Sequence, residues 1–136
     1  MTPSEANLET VRRAYEAFNR GDLVAFLAEL DDEVHVDMTE RVFNPDTYDG
    51  HEGVRRFYAE VREVWEDFRW DPEEIVGAGD KVAALVHSHG RGKGSGVKVD
   101  RRIGFVWTLR AGRATSIRLY VDQAKALEVA GASRRA

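Results

Sequence analysis

Cysteine is absent from this chain of 136 residues, and proline occurs only three times. Without cysteine there is no disulfide framework, no thiol nucleophile and no thiolate metal site. No apolar run approaches the ~18 to 20 residues that a membrane-spanning helix needs. The opening decapeptide MTPSEANLET has neither the basic start nor the apolar segment of a secretory signal. We therefore expect a cytoplasmic protein with no membrane partner.

Acidic and basic residues are distributed unevenly along the chain. Residues 1–80 contain 21 acidic and 8 basic side chains, whereas residues 81–136 contain 3 and 12, within a net charge of −4. A basic half can contact phosphate, but no basic run is interleaved with the aromatic residues that a nucleic-acid surface uses. We interpret the two halves as complementary parts of one domain over 1–136, with residues 131–136 as a frayed tail, and predict no nucleic-acid partner.

The first half of the chain predicts three helices and one strand. Thr2 and Glu5 form a capping box for a helix that ends near Gly21, and Asp22 caps a short second helix. Residues 34–38 alternate as a half-buried strand does, and residues 39–50 are predicted as a loop. A long helix over about 51–67 follows from one apolar stripe, formed by Val54, Phe57, Tyr58, Val61, Val64, Trp65 and Phe68.

The second half of the chain has the pattern of a sheet. Strand-like runs occupy residues 68–76, 82–89, 97–110 and 116–121, and a short helix is predicted over about 123–130. Helices followed by a meander indicate an α+β fold. We predict a cone-shaped, curved antiparallel (mixed) sheet that wraps around the long helix, with two further N-terminal helices.

Two motifs invite a ligand-binding interpretation. The segment GRGKGSG (90–96) contains the residue types of a phosphate-binding loop, but Lys93 is followed by Gly94 and strands flank the segment, so a flexible hairpin loop is favoured. His87 and His89 share one face of a strand and suit proton transfer. No third residue of matching spacing completes a metal site, so we predict neither a metal nor any other cofactor.

Three segments carry a family resemblance: TVRRAYEAFNRGDLVAFLAELDDEV, DGHEGVRRFYAEV and FVWTLRAGRATSIRLYVDQAKAL. Together they resemble the SnoaL-like branch of the nuclear-transport-factor-like superfamily, which includes ketosteroid isomerases, polyketide cyclases and limonene-epoxide hydrolases. The resemblance implies a cone fold, usually dimeric, that hosts many activities, so the fold by itself does not identify the reaction.

The resemblance also implies that the known catalytic groups are missing. The isomerase tyrosine falls at Ala14, its general base at Met38 and its oxyanion-hole acid at Gly104, while the last-strand carboxylate of the epoxide hydrolases falls at Leu119. Enolisation at neutral pH needs a base and hydrogen-bond donors that converge on one carbonyl. We therefore predict that the chain lacks ketosteroid isomerase activity.

The resemblance directs Gly104 into the cavity, and strand alternation then directs Arg102, Val106 and Thr108 there too. We predict His87 or His89 as the base and Arg102 as the group that stabilises an oxyanion, with an Arg102–Asp100 ion pair as the structural alternative. The predicted pocket lining is Val36, Met38, Tyr58, Leu85, Gly104, Val106, Thr108, Ile117 and Leu119.

These residues favour an enzyme of isomerase, cyclase or lyase type that acts on a small hydrophobic carbonyl or anionic compound in the cone cavity. Two alternatives stay open: a non-catalytic small-molecule-binding protein and a dimerisation module. The outward residues of the same strands would form an exposed apolar patch, so we predict a homodimer through the outer sheet face. The predicted patch consists of Ile103, Phe105, Trp107 and Tyr120.

Overall fold

One mixed sheet organises the part of the chain that the computed structural model describes, residues 2–41 and 44–132. Its strands are β1 (Leu30–Asp37), β2 (Thr47–Asp49), β3 (Trp65–Ala78), β4 (Lys81–Gly92), β5 (Lys98–Arg110) and β6 (Arg113–Tyr120). The helices are α1 (Pro3–Asn19), α2 (Leu23–Ala28), α3 (Gly50–Val64) and α4 (Gln123–Ala130). The strand order is β2-β1-β6-β5-β4-β3, in which β1 and β6 are parallel and the other neighbours antiparallel. The predicted α+β architecture is confirmed.

Capping hydrogen bonds determine where the two N-terminal helices begin. The Thr2 hydroxyl accepts from the Glu5 backbone N–H at 3.2 Å, and the Glu5 carboxylate accepts from the Thr2 N–H at 3.2 Å, which completes the predicted capping box. Gly21 follows the end of α1 with φ of +78°, a conformation that glycine adopts without strain. Asp22 accepts from the Ala25 N–H at 3.0 Å and so caps α2 as predicted.

The chain between α3 and β3 differs from the sequence prediction. Helix α3 ends at Val64, and Trp65 is already extended and paired with Gly92 of β4. The register shifts between Glu66 and Arg69, where Asp67 has φ of +52°. This bulge keeps Trp65 and Phe68 on one side of the sheet, so the apolar stripe continues from the helix into the strand. Strand β2 lies within the segment that we predicted as a loop.

The two faces of the sheet are covered differently. Helices α1 and α3 pack on one side, here named the α3 face, where Trp107 donates from Nε1 to the Tyr15 hydroxyl at 3.0 Å. Helix α4 packs on the opposite side, the α4 face, where a Cβ built on Gly104 would lie 2.5 Å from the Ala126 Cβ. None of the helices in the described ranges is long and apolar enough to cross a membrane.

The predicted exposed patch is wrong, because all four of its residues are buried within the chain. Ile103, Phe105 and Trp107 belong to the main core on the α3 face, and Tyr120 packs in the smaller core beneath α4. Bulky apolar side chains fill the space between sheet and helices, which leaves none of them for an outer interface. Association of two chains stays a prediction. Residues 133–136 of the predicted tail lie outside the described residues.

Candidate functional site

A cavity of about 380 Å³ lies between α3 and the α3 face of the sheet. Its walls are predominantly apolar, and its volume falls within the range of small-molecule sites. Three of its valines, Val64, Val97 and Val121, are exposed to solvent and mark the opening. The other apolar lining side chains are Met38, Phe57, Val61, Trp65, Phe68, Trp70, Val99, Ile103 and Leu119.

A polar row crosses the floor of this cavity. Ser88 of β4 is paired with Trp70 of β3 on one side and with Arg101 of β5 on the other, and all three line the cavity. Ser88 is only 5% exposed, and its hydroxyl has no hydrogen-bond partner among the residues that the structure describes. Because Ser88 lines the cavity, its hydroxyl is available to hydrogen-bond a ligand there.

Three cationic side chains also line the cavity: Arg41, Lys93 and Arg101. None of the three forms an ion pair with a carboxylate in the described ranges. The Lys93 backbone N–H donates to the Val64 carbonyl at 2.9 Å, which ties the β4–β5 loop to the end of α3. Gly94 and Gly96 both have positive φ and allow the tight turn that carries Lys93. The cavity wall therefore carries three positive charges, which favour an anionic ligand.

Glu60 of α3 is the one carboxylate among the described residues that line the cavity. The Tyr48 hydroxyl donates to Glu60 Oε1 at 2.7 Å and accepts from Arg41 Nη2 at 2.9 Å. Arg56 Nη1 lies 3.3 Å from Glu60 Oε2. These contacts hold the carboxylate of Glu60 in one position at the cavity wall, as a group that transfers a proton requires.

The environment of Tyr48 keeps its hydroxyl protonated. Burial raises the pKa of Tyr48, the hydrogen bond to Glu60 raises it further, and the Arg41 guanidinium opposes both effects. The raised pKa makes Tyr48 a hydrogen-bond donor to Glu60 at neutral pH. The Nε of Arg41 is buried and has no hydrogen-bond partner in the described part of the chain. The Arg41 guanidinium lies 5.6 Å from the centre of the Phe57 ring.

The two histidines predicted as bases lie on the α4 face and not in the cavity. They share a face, as predicted, and their ring centroids are 4.6 Å apart. His87 Nε2 lies 2.6 Å from Asp100 Oδ1, and His89 Nε2 lies 2.6 Å from Asp71 Oδ2. No group of three ligating side chains that could hold a metal ion is found in the described ranges.

Arg102 also lies on the α4 face, where its side chain is 57% exposed. Its Nε donates to Glu73 Oε1 at 2.9 Å, so its ion-pair partner is Glu73 and not Asp100. Placing Arg102, His87 and His89 in the cavity is therefore wrong. The register explains the error: Phe105 and Trp107 fill the core, so the even-numbered residues of β5 face the other way.

The predicted pocket lining is correct only in part. Met38 and Leu119 line the cavity, whereas Tyr58 lines a second one. Val36 and Ile117 are buried in the main core. Leu85, Gly104, Val106 and Thr108 are wrong as lining residues, because they share the α4 face with Arg102.

Sequence reasoning missed Glu60, Ser88 and Arg101. The alternation of Ile103, Phe105 and Trp107 could have located Arg101. If these bulky odd-numbered residues face the core, Arg101 lies on the same face of the strand. Cross-strand pairing then brings Ser88 to the same face as Arg101. Glu60 lies three residues beyond Phe57 on α3, at the border of the apolar stripe.

Three solved structures illustrate what this chain is similar to. A nuclear-transport-factor-like protein of unknown function from Burkholderia pseudomallei is 27% identical, with a TM-score of 0.77 over 97% of this chain and 100% of that one. A proposed polyketide cyclase from Xanthomonas campestris is 24% identical, with a TM-score of 0.75 over 91% and 96%. A protein with a ketosteroid isomerase-like fold from Catenulispora acidiphila, in complex with trimethylamine, is 19% identical, with a TM-score of 0.74 over 98% and 96%.

The structural similarity shows the fold, and the sequence profile identifies the family. A comparison with curated protein sequences finds no match. The profile of the SnoaL-like domain, in contrast, matches residues 11–117, from the middle of α1 to the last strand of the sheet. This range includes Glu60, Ser88 and Arg101. The chain therefore belongs to the SnoaL-like domain family.

Proposed function

We propose that this chain is a SnoaL-like enzyme that binds a small hydrophobic carbonyl or anionic compound in the cavity and transfers a proton on it. One observation carries the proposal: a fixed carboxylate (Glu60), a hydroxyl without a partner in the described ranges (Ser88) and a guanidinium without an ion pair there (Arg101) line one apolar cavity. A few polar groups within apolar walls are typical of a site that orients a small molecule.

The residues on the floor of the cavity account for ligand binding. Trp70 and its aromatic neighbours exclude water and cover the apolar body of the ligand. The Ser88 hydroxyl and the Arg101 guanidinium donate hydrogen bonds to a ligand oxygen at the same row of the sheet. A hydrogen bond from a charged donor is roughly twice as strong as a neutral one, so a carboxylate, phenolate or enolate oxygen is the preferred partner.

The group that transfers the proton is Glu60. Its carboxylate takes a proton from the carbon next to the ligand carbonyl, and the C–H electron pair forms a C=C bond as the carbonyl oxygen becomes an enolate. Ser88 and Arg101 stabilise that oxyanion by donating hydrogen bonds. Glu60 then returns the proton to the same or another carbon, so that exchange or isomerisation results and no other reactant is consumed.

A non-catalytic binding protein is the second candidate, and one observation favours it. Tyr48 and Arg56 both donate to Glu60, one to each oxygen. These donors occupy lone pairs that a base would direct at the substrate. The binding groups Ser88, Arg101 and Lys93 would serve this function equally well.

Binding is tested with 2-naphthoate, a compact aromatic anion, by isothermal titration calorimetry. Arg101→Met removes a guanidinium that lines the cavity, and we expect affinity to fall about tenfold, since a charged hydrogen bond contributes roughly 1.5–3 kcal/mol. Arg102→Met is the matched control, because the neighbouring guanidinium lies on the α4 face. Equal losses in the two variants, or no binding by the wild type, would refute the assignment of the cavity.

Chemistry is tested with 2-tetralone, a ketone with acidic α-hydrogens, in D₂O by NMR. The proposal expects deuterium exchange above the buffer rate in the wild type, with Glu60→Gln reduced to the buffer rate while it still binds 2-naphthoate. If the wild type and Glu60→Gln both exchange at the buffer rate, the enzyme proposal fails and the binding protein is favoured.

A further inference from the structure

A second cavity of about 470 Å³ adjoins the first. It lies between the end of α1, α3 and the start of β3, and it is considerably more polar than the first. The two cavities have four lining residues in common: Val61, Trp65, Phe68 and Lys93. A single layer of side chains therefore separates an apolar compartment from a polar one.

The two aromatic members of this layer are held differently. The Phe68 ring lies 6.3 Å from Phe18 and 5.7 Å from Trp70, measured between ring centroids, and its Cδ2 closely approaches Gly90. Phe68 thus packs against the aromatic part of the main core. Trp65 is the first residue of β3, is partly exposed, and packs against Phe68 at a centroid distance of 6.2 Å. Both residues are partly exposed and pack against the main core.

The second cavity has cationic groups placed for an anion. Arg62 Nη1 donates to the Tyr58 hydroxyl at 3.2 Å, and Arg62 forms no ion pair with a carboxylate in the described ranges. Lys93 lines both cavities. The two acidic lining residues, Glu66 and Asp67, lie 3.5 and 3.9 Å from the guanidinium of Arg91. An ion pair with Arg91 offsets their repulsion of an incoming anion.

We propose that Trp65 determines the length of ligand that the cavity accepts. The indole separates the first cavity from the second, so the wild type takes a compact ligand with one anionic end. Without the indole the two cavities join, and a longer ligand extends into the polar compartment, where Arg62 binds a second anionic group. This inference rests on the proposed binding of a hydrophobic anion in the first cavity.

The experiment compares two probes by isothermal titration calorimetry: 2-naphthoate, which is short, and p-terphenyl-4,4″-dicarboxylate, which is long and has an anion at each end. We expect the wild type to bind the long probe at least tenfold more weakly than the short one. Trp65→Ala should bind the long probe at least tenfold more tightly than the wild type does. Val64→Ala is the matched control, because Val64 lines only the first cavity.

A second variant tests the anion site. Arg62→Met in the Trp65→Ala background should weaken binding of the long probe about tenfold and leave 2-naphthoate unaffected. Circular dichroism checks that each variant is folded, and Trp65→Leu, which keeps an apolar side chain, replaces Trp65→Ala if that variant unfolds.

The outcomes separate the two proposals. If the wild type binds neither probe, the proposed function fails. If the wild type binds 2-naphthoate but the Trp65 variants gain nothing for the long probe, or if Val64→Ala gains as much, the role of Trp65 is overturned.

Discussion

Neighbouring polar residues point to opposite faces of one sheet, and they differ in whether they have a protein partner. On the α3 face, Ser88 and Arg101 line an apolar cavity and have no protein partners in the described ranges. One residue away, His87 and Arg102 lie on the α4 face, where each pairs with a carboxylate. Polar groups without protein partners are available to a ligand, which supports the proposed site on the α3 face.

The α4 face satisfies its own charges across three strands. Asp71 accepts from Arg69 and lies against His89, while Asp100 lies against His87. Exposed ion pairs of this kind contribute roughly 0–1 kcal/mol each to stability. The main source of stability is therefore the apolar packing on the other face.

The largest expected difference between the faces concerns stability. Trp107 is 1% exposed and donates to Tyr15 within the core. Trp107→Ala should lower the free energy of unfolding by about 3–5 kcal/mol, because it leaves a cavity and an unpaired hydroxyl. The adjacent Thr108→Ala changes a residue on the α4 face and should cost less than about 1 kcal/mol. Urea unfolding measures both, and similar losses would contradict the assignment of faces.

A smaller effect is expected where α4 covers its face. A Cβ on Gly104 would lie 2.5 Å from the Ala126 Cβ and 3.4 Å from the Gln123 Cα. Gly104→Ala should therefore displace α4 and destabilise the fold by about 1–3 kcal/mol. Ala126→Gly removes the clashing methyl group, so the double variant should recover part of that loss. Additive losses in urea unfolding would show that α4 does not pack on Gly104.

Sequence patterns predicted local structure well, but they predicted poorly which face of the sheet points to the helices. The capping residues Thr2 and Asp22, and the bounds of α4, follow from short-range chemistry that the sequence contains. Alternation correctly placed His87 and His89 together, but it fixes only which residues share a face. Which face points to the helices depends on tertiary packing, and a one-residue choice reverses every side chain.

The residues of the candidate site were harder to predict from the sequence than the helices and strands. Assigning Gly104 to the cavity from the family resemblance overrode the stronger physical signal, the bulk of Phe105 and Trp107. Glu60 was missed for another reason. Its proposed role depends on Tyr48, which belongs to a three-residue strand in a segment that was predicted to be a loop. A contact between two elements is not visible in the periodicity of either one.

The smallest expected effect tests the ion pairs of the α4 face. Burial acts to raise the pKa of Asp71, but hydrogen bonds from Arg69 and His89 outweigh it and lower the pKa below its usual value. A carboxyl whose pKa is lower in the folded state stabilises the fold above its unfolded pKa, and this contribution is lost as pH falls through the folded pKa. Asp71→Asn should therefore destabilise the protein at pH 7, by less than about 1 kcal/mol since the pair is exposed. The difference from the wild type should shrink between pH 5 and pH 3 and also in 1 M NaCl, which screens the charges. Urea unfolding across this range measures it, and a difference that grows on acidification would show that the Asp71 pairs do not stabilise this face.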